Sequence, residues 1–410
     1  MSIQPLILLN EITRVNMKHS YNLFIPLLLL IIVSCNKKQQ EEALTSINID
    51  ENIIDTLEMD LRDLVYELRI VRLETTSSSL LDEIWHGVYR SDKYLVVRPR
   101  SETFLFTHDG RFVRNLYDIG RGPEDFIAPG FSPIIKNEVL YIEDKSKSKE
   151  KYYRINLDTG VLSEIIKPFA WESQSFIVQN DSTIIAFANG ILDHNLPAGT
   201  AYEYLKQGLH IIDKKGELYR AYDFGISKPY SFLIFNHGRL YQFSDDIYLR
   251  LPRGEHILQI KENSIDTVWT NHFKNEFVTR DKPGSYTDVD LLYFSPTRAI
   301  LQKQTVIIGN MVIRRSPINL VLVEREKKTA QIMKLFFRNR EHRFHVSSWN
   351  VTSDGYLFII LYPYQMIELM KDPEMKEYIN ELIAKGSYYS DEPISLDDNP
   401  FLLIGRINDQ

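Results

Sequence analysis

An all-β body is predicted by three features of this 410-residue chain. Aromatic residues make up 12% of it, with 23 Tyr and 21 Phe, and such side chains pack well on pleated surfaces. Beyond residue 60, short apolar or alternating runs are broken by Asp-Gly, Thr-Gly and Lys-Gly turns, while 3.6-residue periodicity is scarce. The runs come in fours, and equivalent turns recur roughly every 50 to 60 residues, near the ~40–50-residue period of propeller repeats. Six such groups predict a six-bladed β-propeller.

The first blade is read from Ile84 to Tyr89, Tyr94 to Arg98, Phe104 to Thr107 and Phe112 to Leu116, with Asp109-Gly110 in the last turn. Glycine suits that turn because it takes positive φ without a Cβ clash. The second runs through Ile134-Ile135, Val139 to Glu143, Tyr152 to Asn156 and Leu162 to Ile166. The third comprises Phe176 to Gln179, Thr183 to Ala188, Gly208 to Ile212 and Leu218 to Tyr222. For the fourth the pattern gives Phe232 to Asn236, Leu240 to Ser244, His256 to Ile260 and Asp266 to Trp269. For the fifth it gives Arg298 to Gln302, Val306 to Ile313, Leu320 to Glu324 and Ala330 to Phe336.

The sixth group is interrupted. Phe344 to Val351 and Tyr356 to Leu361 are its first two strands, a helical insertion follows over Ile367 to Lys385, and Phe401 to Ile407 is the third. Its fourth strand comes from the start of the body, Leu68 to Leu73, which closes the ring and leaves no open edge at the junction. A seven-bladed ring, with a blade in Asn271 to Tyr293, and a pair of β-sandwiches are the competing architectures.

Composition narrows the function. A net charge of −7 argues against broad nucleic-acid binding, which needs a basic footprint. The single cysteine, Cys35, excludes an internal disulfide. Upstream of it, Arg14 and Lys18 precede an apolar run from Leu23 to Val33. That run has the length of a signal-peptide core and falls short of the ~20 residues of a transmembrane helix.

The end of the run, Ile32-Val33-Ser34-Cys35, resembles the bacterial lipoprotein lipobox. The resemblance implies a signal peptide over residues 1–34, lipidation of Cys35 and a flexible tether over 35–60, which leaves 61–410 for the propeller read from the repeats. Met17 fits as the start of that signal peptide, since residues 1–16 add nothing it requires. The body as a whole is similar to the six-bladed β-propeller lipoproteins of Bacteroidetes, a group loosely related to NHL-type propellers. The similarity is carried by Leu105-Phe106-Thr107-His108-Asp109-Gly110-Arg111-Phe112-Val113, by Ile119-Gly120-Arg121-Gly122-Pro123-Glu124-Asp125-Phe126 and by Asn399-Pro400-Phe401-Leu402-Leu403-Ile404. One departure is that Gly122-Pro123-Glu124-Asp125-Phe126 stands where the group reads Gly-Pro-Gly-Glu-Phe. The resemblance implies a cell-envelope protein, anchored to the outer membrane and facing periplasm or cell surface.

Several constellations bear on chemistry. The Gly120-Arg121-Gly122-Pro123 loop has the form of a backbone anion nest, or of a rigid connection between blades. No Gly-Lys-Ser/Thr follows it, so nucleotide binding is not indicated. Asp281, Asp288 and Asp290 offer hard oxygen ligands suited to calcium, in what reads as a solvated acidic loop. His342 and His345 are the closest histidine pair but would point to opposite faces of a strand, the other histidines scatter, and no zinc set is legible. Tyr286, Tyr293, Tyr362, Tyr364, Tyr388 and Tyr389 are read as a stacking surface for a sugar or peptide over the central channel. No Gly-x-Ser-x-Gly elbow or cysteine nucleophile is present in the body. The expected function is therefore a membrane-tethered module that binds a protein, peptide or glycan, with the Ile367 to Lys385 insertion as a partner contact. The alternative is a metal-assisted lyase or hydrolase with its site at the channel mouth.

Overall fold

The computed structural model describes residues 46–47, 53–81, 84, 87–99, 102–118, 126, 133–144, 150–169, 173–180, 183–188, 208–213, 218–224, 239–243, 245–251, 256–262, 264–271, 284–309, 312–315, 319–337, 339–343, 349–388 and 392–409. The chain divides into two compact units, Met1–Ser46 and Ile47–Gln410, and the second holds every element below. It is a six-bladed β-propeller.

Blade one is Val88–Arg90, Tyr94–Val97, Glu102–Thr107 and Phe112–Asp118. Blade two is Ile134–Lys136, Val139–Asp144, Glu150–Asn156 and Leu162–Phe169. Blade three is Ser173–Asn180, Thr183–Ala188, Gly208–Asp213 and Leu218–Asp223. All three follow the sequence reading to within a few residues. The first strands of successive blades lie against one another from blade one to blade six, and Asn350 of blade six donates its side-chain amide to the Val88 carbonyl of blade one. They form the inner wall of the ring.

Blades four and five correct the reading. Blade four is Arg239–Phe243, Asp246–Arg250, His256–Ile260 and Ile265–Asn271, so the run read as its second strand is its first. The link between Phe243 and Asp246 is too short and polar to stand out in the sequence as a hairpin, and Phe232 to Asn236 lies outside the described residues. Blade five begins with Gly284–Phe294, continues with the long strand Arg298–Gly309, and ends with Asn319–Glu324 and Thr329–Phe337. The stretch set aside for a seventh blade thus supplies an inner strand of the fifth. The Asp281–Asp290 segment is not a loop from Gly284 onward, because it pairs residue by residue with the long strand Arg298–Gly309.

Blade six is Trp349–Val351, Tyr356–Leu361, Phe401–Ile407 and, from the other end of the body, Val65–Arg72. The closing pair is antiparallel, with Arg72 opposite Phe401 and Ile70 opposite Leu403. Ahead of it, Ile53–Asp60 runs parallel to Thr329–Phe337 on the outside of blade five. A one-turn helix α1, Leu61–Leu64, then carries the chain to blade six, with the Asp60 carboxylate accepting from the Arg62 amide at 2.9 Å. The stretch read as tether therefore ends before Ile53, and the amino-terminal chain spans two blades.

The insertion forms two helices, α2 at Pro363–Leu369 and α3 at Pro373–Gly386, split where Pro373 cannot donate an amide. Proline is favoured at a first helical position, and Asp372 caps α3 by accepting from the Glu374 amide at 2.9 Å. Met375, Ile379, Leu382 and Ile383 of α3 are buried in one core with Leu61, Leu64, Ile70 and Leu335. That apolar face is occupied by the protein's own closure and is not available to a partner.

Repeated turns set the blade geometry. Thr107-His108-Asp109-Gly110 and Thr352-Ser353-Asp354-Gly355 are equivalent: in each, the Thr carbonyl accepts from the Gly amide at 3.0 Å and the Thr hydroxyl reaches the Asp carboxylate. Gly110 has φ +92°, and a Cβ there would lie 2.1 Å from the Arg72 carbonyl oxygen. The turn of blade one is thus pressed against the closing strand of blade six.

Candidate functional site

Two cavities meet at one end of the ring. The central channel is a cavity of about 180 Å³, reached by residues of all six inner strands, among them Tyr89, Ile135, Ser175, Tyr241, Leu291 and Asn350. A wider cleft of about 760 Å³ opens between the turns of blades four, five and six. Phe243 and Ser353 line both.

Asp290 anchors the channel. Its carboxylate pairs with Arg239 at 2.6 Å, lies 3.9 Å from Arg250, and accepts from the Tyr241 hydroxyl. Burial alone would raise the Asp290 pKa, but the Arg239 and Arg250 guanidiniums outweigh it and hold the carboxyl below the usual carboxylate range. Burial, with the Asp290 charge added to it, pushes the Tyr241 phenol well up. Both groups therefore keep fixed charge states at neutral pH.

The cleft has aromatic walls and a polar rim. Phe243, Tyr248, Tyr293 and Phe294 pack in tilted and edge-to-face pairs, with Tyr248 and Phe294 centroids 4.8 Å apart. Their phenols point into carboxylates: Tyr293 donates to both oxygens of Asp409, at 2.7 and 2.6 Å, and Tyr248 reaches Asp246 at 3.3 Å. Gln259 donates to the other Asp246 oxygen at 2.9 Å. Burial, reinforced by Asp246, pushes the Tyr248 phenol up to about 12. Arg325 stacks 4.5 Å over Phe294 and donates to the carbonyls of Ser295 and Pro296. Exposed Asp246, Asp354, Asp409 and Arg406 leave donors and acceptors at the rim. The four rings are themselves buried, 6–8% exposed, so the cleft offers a ligand their margins together with the hydrogen-bonding groups of its rim.

The sequence-derived site tyrosines that are described do not share one surface. Tyr293 lines the cleft, close to Gly355 at the start of blade six's second strand. Tyr362 and Tyr364 stack at 6.2 Å beyond the other end of that strand, ~20 Å away by strand rise. Tyr388 packs under Arg111, 4.7 Å from its guanidinium, at the last turn of blade one. Tyr286 lies in the inner strand of blade five, and Tyr389 falls outside the described residues. Gly120, Arg121, Gly122 and Pro123 also fall outside them, although Phe126 just beyond is buried 4.4 Å from Tyr117 and 5.0 Å from Tyr153.

Of the acidic trio, Asp288 and Asp290 are strand residues and Asp281 falls outside the described residues. Asp290 is committed to arginines. Among the described residues no group of three or more His, Cys, Asp or Glu is placed to hold a metal ion. Asp246 and Tyr248 escaped sequence reading because the first two strands of blade four were out of register by one strand, and Gln259, Arg325 and Asp409 because only the closed ring brings them to one cleft. The adjacent short turns at Asp245-Asp246, Ser295-Pro296 and Ser353-Asp354 were the available signal.

Several solved structures are similar to this chain at low sequence identity. A protein from Bacteroides fragilis described as exported matches with TM-score 0.56 at 12% identity, covering 86% of this chain and 99% of that one. The extracellular domain of a one-component system from B. thetaiotaomicron matches at 11% identity over 72% of this chain and 41% of that one, with TM-score 0.37. The Pan2 WD40 domain of Neurospora crassa matches at 9% identity over 79% and 75%, with TM-score 0.32. No curated protein matches the sequence. No helix among the described residues is long and apolar enough to cross a membrane. The family model described as "Domain of unknown function (DUF4934)" matches residues 44–406, nearly the whole of the folded body, and the chain belongs to that family.

Proposed function

We propose that this chain is a lipid-anchored cell-envelope protein whose propeller binds a protein, peptide or glycan ligand in the cleft between blades four, five and six. The observation that carries the reading is the cleft itself: about 760 Å³, walled by four aromatic rings and rimmed by carboxylates, an amide and guanidiniums. Ligand sites are concave, largely apolar and finished by a few convergent polar groups. Rigid blades hold those groups in place before a ligand arrives, which lowers the ordering cost of binding. Tethering is supported by Ile32-Val33-Ser34-Cys35 and by the exported Bacteroides protein of the same fold. Acyl chains on Cys35 would fix the body to the outer membrane, two or more being needed for stable anchoring.

Two measurements test the reading. Metabolic labelling with radioactive palmitate is expected to mark the wild-type chain and not Cys35→Ser; equal labelling of both overturns the anchor. A thermal-shift screen of the full chain against oligosaccharide and peptide panels is expected to give ligands whose stabilisation is lost in Asp246→Ala and Gln259→Ala and kept in the remote Lys376→Ala. Ligands indifferent to both cleft substitutions overturn the binding site.

A further inference from the structure

Beside the cleft, the seam between blades six and one gathers more positive charge than it balances. Arg90 of blade one's inner strand and Arg406 of blade six's third strand flank the ring of Tyr356, and Arg69 of the closing strand lies within electrostatic reach of that ring and of Arg90. The Arg90 guanidinium lies 4.2 Å and that of Arg406 5.9 Å from the Tyr356 centroid. Arg406 also lies 5.9 Å from the ring of Tyr66, which is 43% exposed. Asp354 pairs with Arg90, and Glu67 is an exposed neighbour of Arg69. Among the described residues Arg406 lies against these two rings and within electrostatic reach of Tyr293, and makes no ion pair.

Arg69 is the unusual member. Among the described residues it makes no ion pair, and its Nε is buried without a hydrogen-bond acceptor. The Nε of Arg90 is likewise buried without one. A guanidinium carries five donors and keeps its charge at any physiological pH. Burial lowers the Arg69 pKa, and the positive charge of Arg90 lowers it further while Tyr356 and Glu67 oppose. His108 packs nearby with its ring nitrogen 2.9 Å from the Ser91 carbonyl, and burial and then Arg90 lower its pKa, so it adds a neutral ring. Leaving buried charged donors unpaired is costly. Planar guanidiniums match a carboxylate, sulfate or phosphate with paired hydrogen bonds.

We propose that Arg69, Arg90 and Arg406 form a subsite for an oxyanion, a carboxylate, sulfate or phosphate, at the edge of the cleft. Arg406, Tyr66 and Asp354 line that cleft, so the subsite rests on the proposed binding function and specifies its ligand as one bearing an acidic group.

The test is isothermal titration of the full chain with inorganic phosphate, inorganic sulfate and glucuronate, each against chloride at matched ionic strength. Saturable one-site binding of at least one probe is expected, weakened tenfold or more in Arg69→Gln and in Arg406→Gln and unchanged in Lys93→Gln. Preference for glucuronate assigns a carboxylate on a sugar, and preference for phosphate or sulfate assigns a tetrahedral oxyanion. Arg406 is exposed, so its substitution leaves the fold intact and keeps the test open if Arg69→Gln fails to fold. Heats that follow ionic strength alone, or saturable binding that survives both arginine substitutions, overturn the subsite. If that happens while ligands still require Asp246 and Gln259, the cleft reading stands and only the acidic-group assignment falls.

Discussion

The side-chain amide of Asn399 donates to the Ser79 carbonyl at 2.7 Å, joining positions 320 residues apart in a buried contact. The same amide donates to the Glu74 carbonyl at 2.7 Å, its oxygen accepts from the Leu81 amide at 2.8 Å, and the Asn399 backbone amide donates to the Thr75 hydroxyl at 2.7 Å. One side chain thus pins the segment after the closing strand to the segment before blade six's third strand. Asn399→Ala strands buried backbone groups and is expected to cost ~2–3 kcal/mol, read as a lower urea midpoint at unchanged slope.

Two equivalent glycines should answer differently to one substitution. At Gly110 an added Cβ meets the Arg72 carbonyl oxygen at 2.1 Å, whereas at Gly355 it meets only the Tyr293 ring at 3.5 Å. Both have positive φ, so each alanine carries roughly 1 kcal/mol of backbone strain. Gly110→Ala must in addition push the closing strand away. Its loss of stability is expected to exceed that of Gly355→Ala at least twofold, as compared by thermal unfolding of the two variants.

Asp290 balances two guanidiniums in the channel, and removing its charge leaves them facing each other. Asp290→Asn is expected to destabilise by about 2 kcal/mol, below the value for a fully dry pair because the carboxylate is 25% exposed. The double variant Asp290→Asn with Arg239→Gln should recover part of that loss. A double-mutant cycle in urea gives the coupling, and additivity of the two losses would remove the pairing argument.

His210 supplies a pH dependence. It is 1% exposed on blade three's third strand, and burial lowers its pKa to about 4. Its unfolded value is near 6.5, so the unfolded chain takes up the proton first as pH falls. Stability contributed by the neutral ring is complete above pH 6.5 and is lost on acidification toward pH 4. Between pH 7 and pH 5 the loss is about 2 kcal/mol. His210→Gln should flatten that part of the stability profile, measured by urea unfolding at each pH.

Most of the ring was legible in the sequence because Asp-Gly and Thr-Gly turns carry both a composition and a backbone requirement. Gly110, Gly160 and Gly355 all take positive φ, so their turns could be read directly. The amino-terminal closing strand was legible for a second reason, since an open sixth blade needs a fourth strand. The turn at Asp245 has no glycine, and without that mark Arg239–Phe243 and Asp246–Arg250 merged into ambiguity. The strand Ile53–Asp60 was hidden because it adds to the outside of a complete blade and answers no missing partner. The cleft depends on which turns face one another across three blades, a relation that spacing along one chain does not encode. The arginine seam joins Arg69, Arg90 and Arg406, positions whose proximity exists only after closure.

The strap across blades five and six also fixes the order of events during folding. Ile53–Asp60 needs Thr329–Phe337, and Val65–Arg72 needs Phe401–Ile407. Both amino-terminal strands emerge early in synthesis and wait for partners made near its end. Pairings this distant in sequence are slow to form, because loop closure must precede any gain from contact. A ring that cannot lock until its last strand is made keeps its first strands without partners for most of synthesis, so closure is expected to be its slowest folding step.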